Sequence, residues 1–423
     1  MERRGWAGHR RGDREYRLVL AGLFFAGVCT FAQLYSPQAL LPDITATLAI
    51  APSTAALVLS VSTVGLAVGV LPWSALSDRV GRVRVMTMGV ASATIVGLVV
   101  PFAPSIPLLL AGRFLEGVLV AGVPSVVIAY LGEEIHLLDA GRAAGTYVAG
   151  TSIGGLLGRL VAGPIGEWAG WRIGMLSVAV VCAVASVVFI RLVPAPLGFA
   201  ARVRGGVPGS RAADGVGAVA GAEEEAVGPG LAGRLWASIR SPRLLALYAQ
   251  GFLLMGGFVA LYNYLAFRLE AAPFWVPQAV ISLIFLAYLA GTWSSAQVGT
   301  LIDRLGRRPA LLVSAGVMTA GVLLTLSDAL PVILLGLVVA TAGFFAAHSV
   351  ASGWTGREAT VGRAQAASLY NLFYYAGSSL FGWLGGVLLT AAGWPGVVAM
   401  IVGLVAAAML AAGLVLRPVL REP

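Results

Sequence analysis

The chain has 423 residues, of which 58% are hydrophobic and only 11% are charged. A water-soluble protein of this length needs a more polar surface than that composition supplies, so we expect the chain to lie in a lipid bilayer. All 28 basic residues are arginines, and they outnumber the 19 acids to give a formal charge of +9. The arginines punctuate long uncharged segments instead of forming one patch, which argues against a nucleic-acid partner and is typical of loops that face anionic lipid.

Twelve apolar segments have the roughly 20 residues that a helix needs to cross a bilayer core of about 30 Å. In the first half they lie at approximately 18–41, 53–76, 85–102, 107–131, 143–166 and 173–193. In the second half they lie at approximately 243–267, 277–301, 309–327, 331–353, 363–389 and 395–416, with a turn at 391–396 between the last two. We therefore predict an all-α membrane protein with twelve transmembrane helices in two six-helix bundles, 18–193 and 243–416.

The remaining segments carry too much charge or glycine to span a membrane. We predict cytoplasmic tails at 1–17 and 417–423, and a largely disordered cytoplasmic linker at 194–242. Within the linker, 231–239 has apolar residues and arginines at helical spacing, which predicts a short helix along the membrane surface.

The arginine positions predict the orientation of the chain. Twenty-four of the 28 arginines lie in the tails, the linker and alternate loops, whereas the intervening loops hold only Arg172 and Arg268. Loops rich in arginine face the cytoplasm, so we expect both termini there.

Two short loops repeat the same pattern. The loop after the second helix contains Asp78, Arg79, Gly81 and Arg82, and the loop after the eighth contains Asp303, Arg304, Gly306 and Arg307. The copies are 225 residues apart in corresponding places, which indicates an internal duplication. An aspartate at a helix end can pair with the following arginines or bond an exposed helix N-terminus. Because such contacts break and reform, we predict gating loops; alternatively, Arg79 and Arg304 only anchor the loops to anionic headgroups.

These loops resemble the signature of the major facilitator superfamily, G-x-L-x-D-R-x-G-R-[RK], in the same two places. The second copy matches throughout, while the first has Ser74 where glycine is preferred and Val83 where a base is preferred. Segments such as 130–136 and 342–349 resemble bacterial YnfM-type efflux proteins, which are grouped beside the drug:proton antiporters, and this resemblance covers nearly the whole chain apart from the tails and linker. It implies a multi-pass transporter of a bacterial inner membrane, with loops that latch the cytoplasmic side of two bundles.

Three ionisable side chains, Arg113, Glu116 and Arg159, fall inside predicted helices at similar depth. A charge at mid-bilayer costs at least about 2.5–3.5 kcal/mol, so each is a candidate functional group. The segment 113–117 is similar to the family motif R-x-x-Q-G with glutamate in place of glutamine, which implies a role for Arg113 in proton coupling or in contact with a substrate anion.

Our hypothesis is that Glu116 carries a proton and that Arg113 or Arg159 holds its charged form. The alternative is that Glu116 only neutralises the two arginines. The 225-residue offset places Val338 and Thr341 at the positions of Arg113 and Glu116, so we predict coupling in the N-terminal bundle alone. In the fifth helix Gly155 stands where the family's antiporter motif has proline, which argues against antiport.

Aromatic and amide residues on the first, seventh and eleventh helices predict a substrate cavity suited to a planar or amphipathic organic molecule. Helices one, four, seven and ten face the cavity in the family fold, which implies lining by Gln33, Asn263 and Tyr264, and we add Asn371 as a candidate.

These features together predict a monomeric secondary transporter that works by alternating access and exports a small organic compound or drug in exchange for protons. We expect no enzymatic activity, cofactor or metal. One alternative is uptake or exchange of a small anionic metabolite, with Arg113 and Arg159 as an anion clamp. A second is a membrane-embedded enzyme or a non-transporting sensor, although no phosphate loop or metal-spaced cluster appears in the sequence.

Overall fold

A computed structural model describes residues 7–198, 231–360 and 362–416, and these residues are almost entirely helical. Helices form because a backbone in lipid must satisfy its own hydrogen bonds. The helices of the N-terminal half are α1 (Arg14–Tyr35), α2 (Leu41–Leu48), α3 (Pro52–Val80), α4 (Arg82–Val99), α5 (Ile106–Val120), α6 (Val127–Glu134), α7 (Leu137–Ala169) and α8 (Trp171–Leu192). Those that follow are α9 (Leu231–Arg240), α10 (Pro242–Glu270), α11 (Gln278–Ile281), α12 (Tyr288–Leu305), α13 (Arg307–Leu324), α14 (Leu330–Glu358) and α15 (Arg363–Val415).

Ten described segments are long and apolar enough to span a membrane. The last of them, Gln365–Val415, contains two spans, because Gly393 has a φ of +64° and breaks the helical path at the predicted turn. The short helices α5 and α6 together make up a further span. The prediction of twelve transmembrane helices in two bundles is confirmed.

The prediction of one continuous helix over 107–131 is wrong. Helix α5 ends at Val120, and the turn 121–126 separates it from α6. Pro124 explains the break, because proline has no N–H and its ring clashes with the carbonyl four residues earlier. Gly122 also approaches Gly89 closely, since a Cβ atom on Gly122 would lie 3.0 Å from the Cα of Gly89.

The first and eighth spans are also interrupted. A 3-10 segment, Ser36–Leu40, joins α1 to α2, and a second, Ser282–Ala287, joins α11 to α12. A 3-10 turn inside a span often marks a functional hinge. Both interruptions lie towards the same side of the molecule, at the ends of the helices that are remote from the two repeated loops.

Packing divides the helices into two bundles with matched contacts. In the N-terminal half α1 packs against α7 and α8, and α3 against α5; in the C-terminal half α10 packs against α15, and α14 against α12 and α13. Small residues bring α1 and α7 close together, since a Cβ atom on Gly158 would lie 2.5 Å from the carbonyl oxygen of Ala32. The halves meet where α3 contacts α15 and where α7 contacts α11 and Ser282–Ala287.

Parts of the predicted tails and linker, at 1–6, 199–230 and 417–423, lie outside the described residues. Helix α9 occupies the segment that was predicted as a surface helix, and its location on the membrane stays a prediction. Residues 7–13 pack against the end of α6, where the backbone N–H of His9 donates to the carbonyl of Glu134 at 2.8 Å, and against the start of α7, where the backbone N–H of Arg11 donates to the Asp139 Oδ2 at 3.1 Å.

Candidate functional site

Arg113 and Glu116 form an ion pair inside the N-terminal bundle. They lie on one face of α5, and the Arg113 Nη1 donates to the Glu116 Oε2. The side chains are only 1% and 2% exposed, so the pair is shielded from solvent. The Gln33 amide on α1 lies beside Glu116, since a Cβ atom on Gly97 would contact both side chains. Of the two arginines proposed to hold the Glu116 carboxylate, the structure places Arg113 in contact with it.

The remaining donors of Arg113 reach α1 and α3. Its Nη2 donates to the carbonyl of Leu34 at 2.7 Å and to the Ser62 Oγ at 3.1 Å. Its Nε donates to the carbonyl of Val58 at 3.2 Å, and its Nη1 donates to that of Gln33 at 3.3 Å. The carbonyls of Gln33 and Leu34 belong to the last turn of α1. Arg113 therefore connects the Glu116 carboxylate to the point where the first span is interrupted.

Arg159 occupies a different environment, at the boundary between the two halves. Its Nε and Nη2 both donate to the Gln38 Oε1, at 2.8 and 2.5 Å, and its Nη1 donates to the carbonyl of Gly155 at 2.7 Å. Among the described residues it forms no ion pair, although it is 3% exposed. Three aromatic rings surround its Cζ, with centroids at 4.5 Å for Tyr35, 4.7 Å for Phe285 and 5.0 Å for Tyr288.

A bridge between amides links the halves beside Arg159. The Gln38 Nε2 donates to the Asn263 Oδ1 at 2.7 Å. The two residues are 225 positions apart, the offset that separates the repeated loops, so they are equivalent positions of the duplicated halves. Their bond therefore joins corresponding points of the two bundles. The Asn263 Nδ2 is buried and has no hydrogen-bond partner within the described part of the chain.

The four predicted cavity residues have different surroundings. Asn263 lies at the boundary between the halves, where it bonds with Gln38. Gln33 lies inside the N-terminal bundle, where its Nε2 donates to the carbonyl of Ala93 at 2.5 Å. Tyr264 is buried between α10 and α15 and donates its hydroxyl to the carbonyl of Gly382. Asn371 is exposed on α15.

The first repeated loop forms a charged cluster. The Arg82 Nη1 donates to the Asp78 Oδ1 at 2.6 Å, and its Nη2 lies 3.0 Å from the Glu133 Oε1. Gly81 has a φ of +100° and Gly306 a φ of +81°, and these left-handed conformations favour glycine at the joints α3–α4 and α12–α13.

The second repeated loop lacks this cluster. Among the residues that the structure describes, neither Asp303 nor Arg307 forms an ion pair. Glu358, which is equivalent to Glu133 by the 225-residue offset, pairs instead with Arg243 at 2.5 Å.

Hydrogen bonds between the halves lie towards the ends of the helices remote from the repeated loops. The Thr63 and Ser379 hydroxyls are 2.9 Å apart, between α3 and α15. The Gln278 Nε2 donates to the carbonyl of Ala39 at 2.9 Å, and the backbone N–H of Ala279 donates to Glu167. The halves are thus joined on the side opposite the loops.

The sequence alone did not predict that Gln38, Tyr35, Phe285 and Tyr288 surround Arg159. All four belong to the two interrupted segments, 36–40 and 282–287, or border them. One signal was available, because applying the 225-residue offset to the predicted residue Asn263 leads to Gln38.

Comparison with known proteins gives consistent matches. A model of the Major Facilitator Superfamily matches residues 23–295. The chain is 37% identical over 410 residues to the MFS-type transporter YybF of Bacillus subtilis (strain 168), covering 97% of this chain and 96% of that one. It is 39% identical over 405 residues to the inner membrane transport protein YnfM of Escherichia coli (strain K12), covering 95% and 91%.

Two solved structures share the fold. One is a bacterial homologue of the human lysosomal transporter Spinster, in an inward-facing and unoccupied conformation, with a TM-score of 0.72, 15% identity and 95% of each chain covered. The other is the nucleoside transporter NupG, with a TM-score of 0.72, 13% identity, and 95% of this chain and 100% of that one covered.

Proposed function

The chain belongs to the Major Facilitator Superfamily and is a multi-pass membrane transporter, and from this premise we propose that it exports a small organic compound in exchange for protons. The proposal includes a monomer in a bacterial inner membrane with both termini in the cytoplasm, which the arginine distribution supports. It also includes bundles at 18–193 and 243–416 that rock about the substrate, with 194–242 as their linker.

The observation that carries the proposal is the contact of three consecutive residues of α1 with the two buried arginines. The Gln33 and Leu34 carbonyls accept from Arg113, and the Tyr35 ring lies 4.5 Å from the Arg159 Cζ. The last turn of α1 therefore contacts Arg113, the partner of Glu116, and also lies at the boundary between the halves.

This geometry supplies a route from proton binding to movement. When Glu116 takes up a proton, its negative charge disappears and Arg113 loses the only carboxylate that it contacts among the described residues. A buried guanidinium without an anion is costly, so Arg113 shifts, and the carbonyls of Gln33 and Leu34 move with it. The adjoining segment 36–40 carries Gln38 and hence the bridge to Asn263.

The repeated loops complete the cycle in this proposal. Contacts on the side remote from the loops close that side, and the loops hold or release the cytoplasmic side. The cluster of Asp78, Arg82 and Glu133 is then the latch of the N-terminal half, with Arg79 and Gly81 shaping its loop. In the other half, Asp303, Arg304, Gly306 and Arg307 form the corresponding loop.

The test is transport by the Glu116→Gln variant in vesicles with an imposed pH gradient. We expect gradient-driven transport to be lost, while exchange of labelled for unlabelled substrate continues, because exchange needs no net proton movement. The matched control is Glu134→Gln. Glu134 is also a buried glutamate, but it accepts hydrogen bonds from the backbone of Leu197 and Gly198, far from Arg113. Undiminished gradient-driven transport by Glu116→Gln would exclude Glu116 as the proton carrier.

A second candidate function is uptake or exchange of an anionic metabolite, which is favoured by the absence of a carboxylate partner for Arg159 among the described residues. The two functions differ in direction. Cells that make the protein should resist a toxic substrate until a protonophore is added if the protein exports it. They should accumulate the compound if the protein takes it up.

A further inference from the structure

The surroundings of Arg159 do not neutralise its charge, since three aromatic rings face its Cζ but no carboxylate pairs with it among the described residues. A guanidinium 3% exposed is held by two neutral acceptors, the amide oxygen of Gln38 and the carbonyl of Gly155, and by a long contact of 3.4 Å to the Tyr288 hydroxyl. Removing a cation from water is costly unless an anion or a full set of hydrogen bonds compensates it. Arg113, by contrast, has both a carboxylate and the carbonyls around it.

Gln38 occupies the position that a carboxylate would take. Its single Oε1 accepts from both the Nε and the Nη2 of Arg159, at 2.8 and 2.5 Å. Those two N–H groups form one edge of the guanidinium, and a carboxylate binds such an edge with its two oxygens in a bidentate arrangement. A carboxylate at this edge would bring the negative charge that the amide lacks.

A second donor is available close by. The Asn263 Nδ2 is buried without a partner among the described residues, although its Oδ1 accepts from the Gln38 Nε2. An unpaired buried N–H costs free energy until an acceptor reaches it. An anion that displaced the Gln38 amide would break its bond to the Asn263 Oδ1. The anion would then lie beside the Asn263 side chain, whose Nδ2 can donate a hydrogen bond to it.

The walls of the site favour a planar ligand. The rings of Tyr35, Phe285 and Tyr288 lie 4.5 to 5.0 Å from the Arg159 Cζ. Aromatic faces pack well against planar apolar groups. The site also draws on both halves, since Arg159, Gln38 and Tyr35 belong to one bundle and Asn263, Phe285 and Tyr288 to the other. Arg159 lies ten residues before the end of α7, about 15 Å deep and hence near mid-membrane.

We infer that Arg159, Gln38 and Asn263 form the substrate site and that its ligand is a planar monocarboxylate, such as an aromatic acid. One guanidinium matches one negative charge, so a dianionic phosphate would remain half-neutralised there. The ligand displaces Gln38 from Arg159 and so breaks the amide bridge between equivalent positions of the halves. This inference rests on the proposed transport function, but it is independent of the direction of transport and of the role of Glu116.

The test is equilibrium binding to the purified full-length protein in detergent. The probes are benzoate, phenylacetate and cinnamate, each compared with its neutral amide, and phenyl phosphate as a dianion. We expect at least one carboxylate to raise the melting temperature of the protein and its amide to have no effect. Binding should weaken at least about tenfold in Arg159→Gln, because the charge-assisted bonds are lost.

Gln38→Glu is the sharper variant, because it fixes a carboxylate on the edge of Arg159 that the ligand needs. It should fold well and bind no carboxylate, even if Arg159→Gln fails to fold. The matched control is Arg172→Gln, since Arg172 also lies over an aromatic ring, 4.2 Å from Trp171, and donates to a backbone carbonyl, but within the N-terminal half. Its carboxylate affinity should equal that of the wild type.

Carboxylate binding that survives in Gln38→Glu would overturn the inference. So would equal binding of acids and amides, tighter binding of phenyl phosphate, or no response to any of the carboxylates. The proposed proton coupling fails separately: a protein that binds carboxylates through Arg159 but transports them without regard to the pH gradient retains this site and loses only the coupling.

Discussion

The two halves derive from one repeated unit, yet their interiors now differ in kind. In the N-terminal bundle, Arg113 and Glu116 form a buried ion pair. The equivalent positions in the C-terminal bundle are Val338 and Thr341, and the Thr341 hydroxyl lies 2.7 Å from that of Tyr262. Gln33, which lies beside Glu116, has Phe258 as its equivalent, stacked on Phe344 with centroids 3.9 Å apart. At these equivalent positions the N-terminal bundle therefore has a buried ion pair, whereas the C-terminal bundle has a hydroxyl pair and stacked aromatic rings.

The repeated loops also differ in the ion pairs that their residues and neighbours form. Arg82 joins Asp78 and Glu133 in the first half, whereas Glu358, the equivalent of Glu133, pairs with Arg243 at the start of α10. The Trp354 Nε1 also donates to Glu358 at 3.0 Å. A duplicated motif can therefore retain its sequence while its acidic partner is engaged elsewhere. The similar sequences of the two loops therefore do not imply that they make the same contacts.

Removing the buried cation is expected to give the largest difference in stability between variants of the two bundles. Arg113→Gln leaves the Glu116 carboxylate buried without a cation, which should lower the free energy of unfolding by about 3–5 kcal/mol. Thr341→Val at the position equivalent to Glu116 removes the hydroxyl that bonds with Tyr262 and with the Leu337 carbonyl, and should cost about 1–2 kcal/mol. Thermal or denaturant unfolding of both variants in the same detergent gives the comparison. Similar losses in the two variants would contradict the view that the charge pair sets the N-terminal bundle apart.

A smaller difference in stability and transport rate is expected between variants of the two repeated loops. Arg82→Gln removes contacts with two acids, in a side chain 14% exposed, and should cost about 1 kcal/mol with a lower transport rate. Arg307→Gln changes the equivalent residue, which has no ion pair within the described ranges, and should cost less than about 0.5 kcal/mol. Unfolding in detergent and initial transport rates in vesicles measure both effects. An equal or larger effect of Arg307→Gln would show that the second loop is engaged through contacts formed in another conformation.

Much of this comparison could be predicted from the sequence, because it depends on local spacing. The pairing of Arg113 with Glu116 follows from their separation of three residues on one helix. The repeated loops and the number of spans follow from composition and from the 225-residue offset. The break at Pro124 was missed because the apolar run continues through it.

The surroundings of Arg159 could not be predicted in this way. Its contact with Gln38 lies 121 positions away and depends on how α7 packs beside Ser36–Leu40, and its contact with Tyr288 lies 129 positions away and depends on how the two bundles meet. No periodicity within one helix encodes that arrangement. The duplication is the one sequence feature that points to this arrangement, because Gln38 and Asn263 occupy equivalent positions.

The smallest effect is expected from a substitution among the aromatic rings of the C-terminal bundle. This substitution tests whether the rings contribute packing alone or also take part in coupling. Phe344→Leu introduces the residue found at the equivalent position 119, and it removes a stacked contact with Phe258 at 3.9 Å. Such a ring pair contributes about 0.5–1.5 kcal/mol beyond the area that it buries, so the unfolding free energy should fall by about that amount, plus the loss from the smaller side chain. Phe102→Leu, at a ring 59% exposed in the other half, is the control and should have little effect. Gradient-driven transport by Phe344→Leu should keep the same dependence on pH as the wild type, since the ring carries no proton. A shifted pH dependence would instead mean that the aromatic bundle takes part in coupling, and that the charge pair of the N-terminal bundle does not act alone.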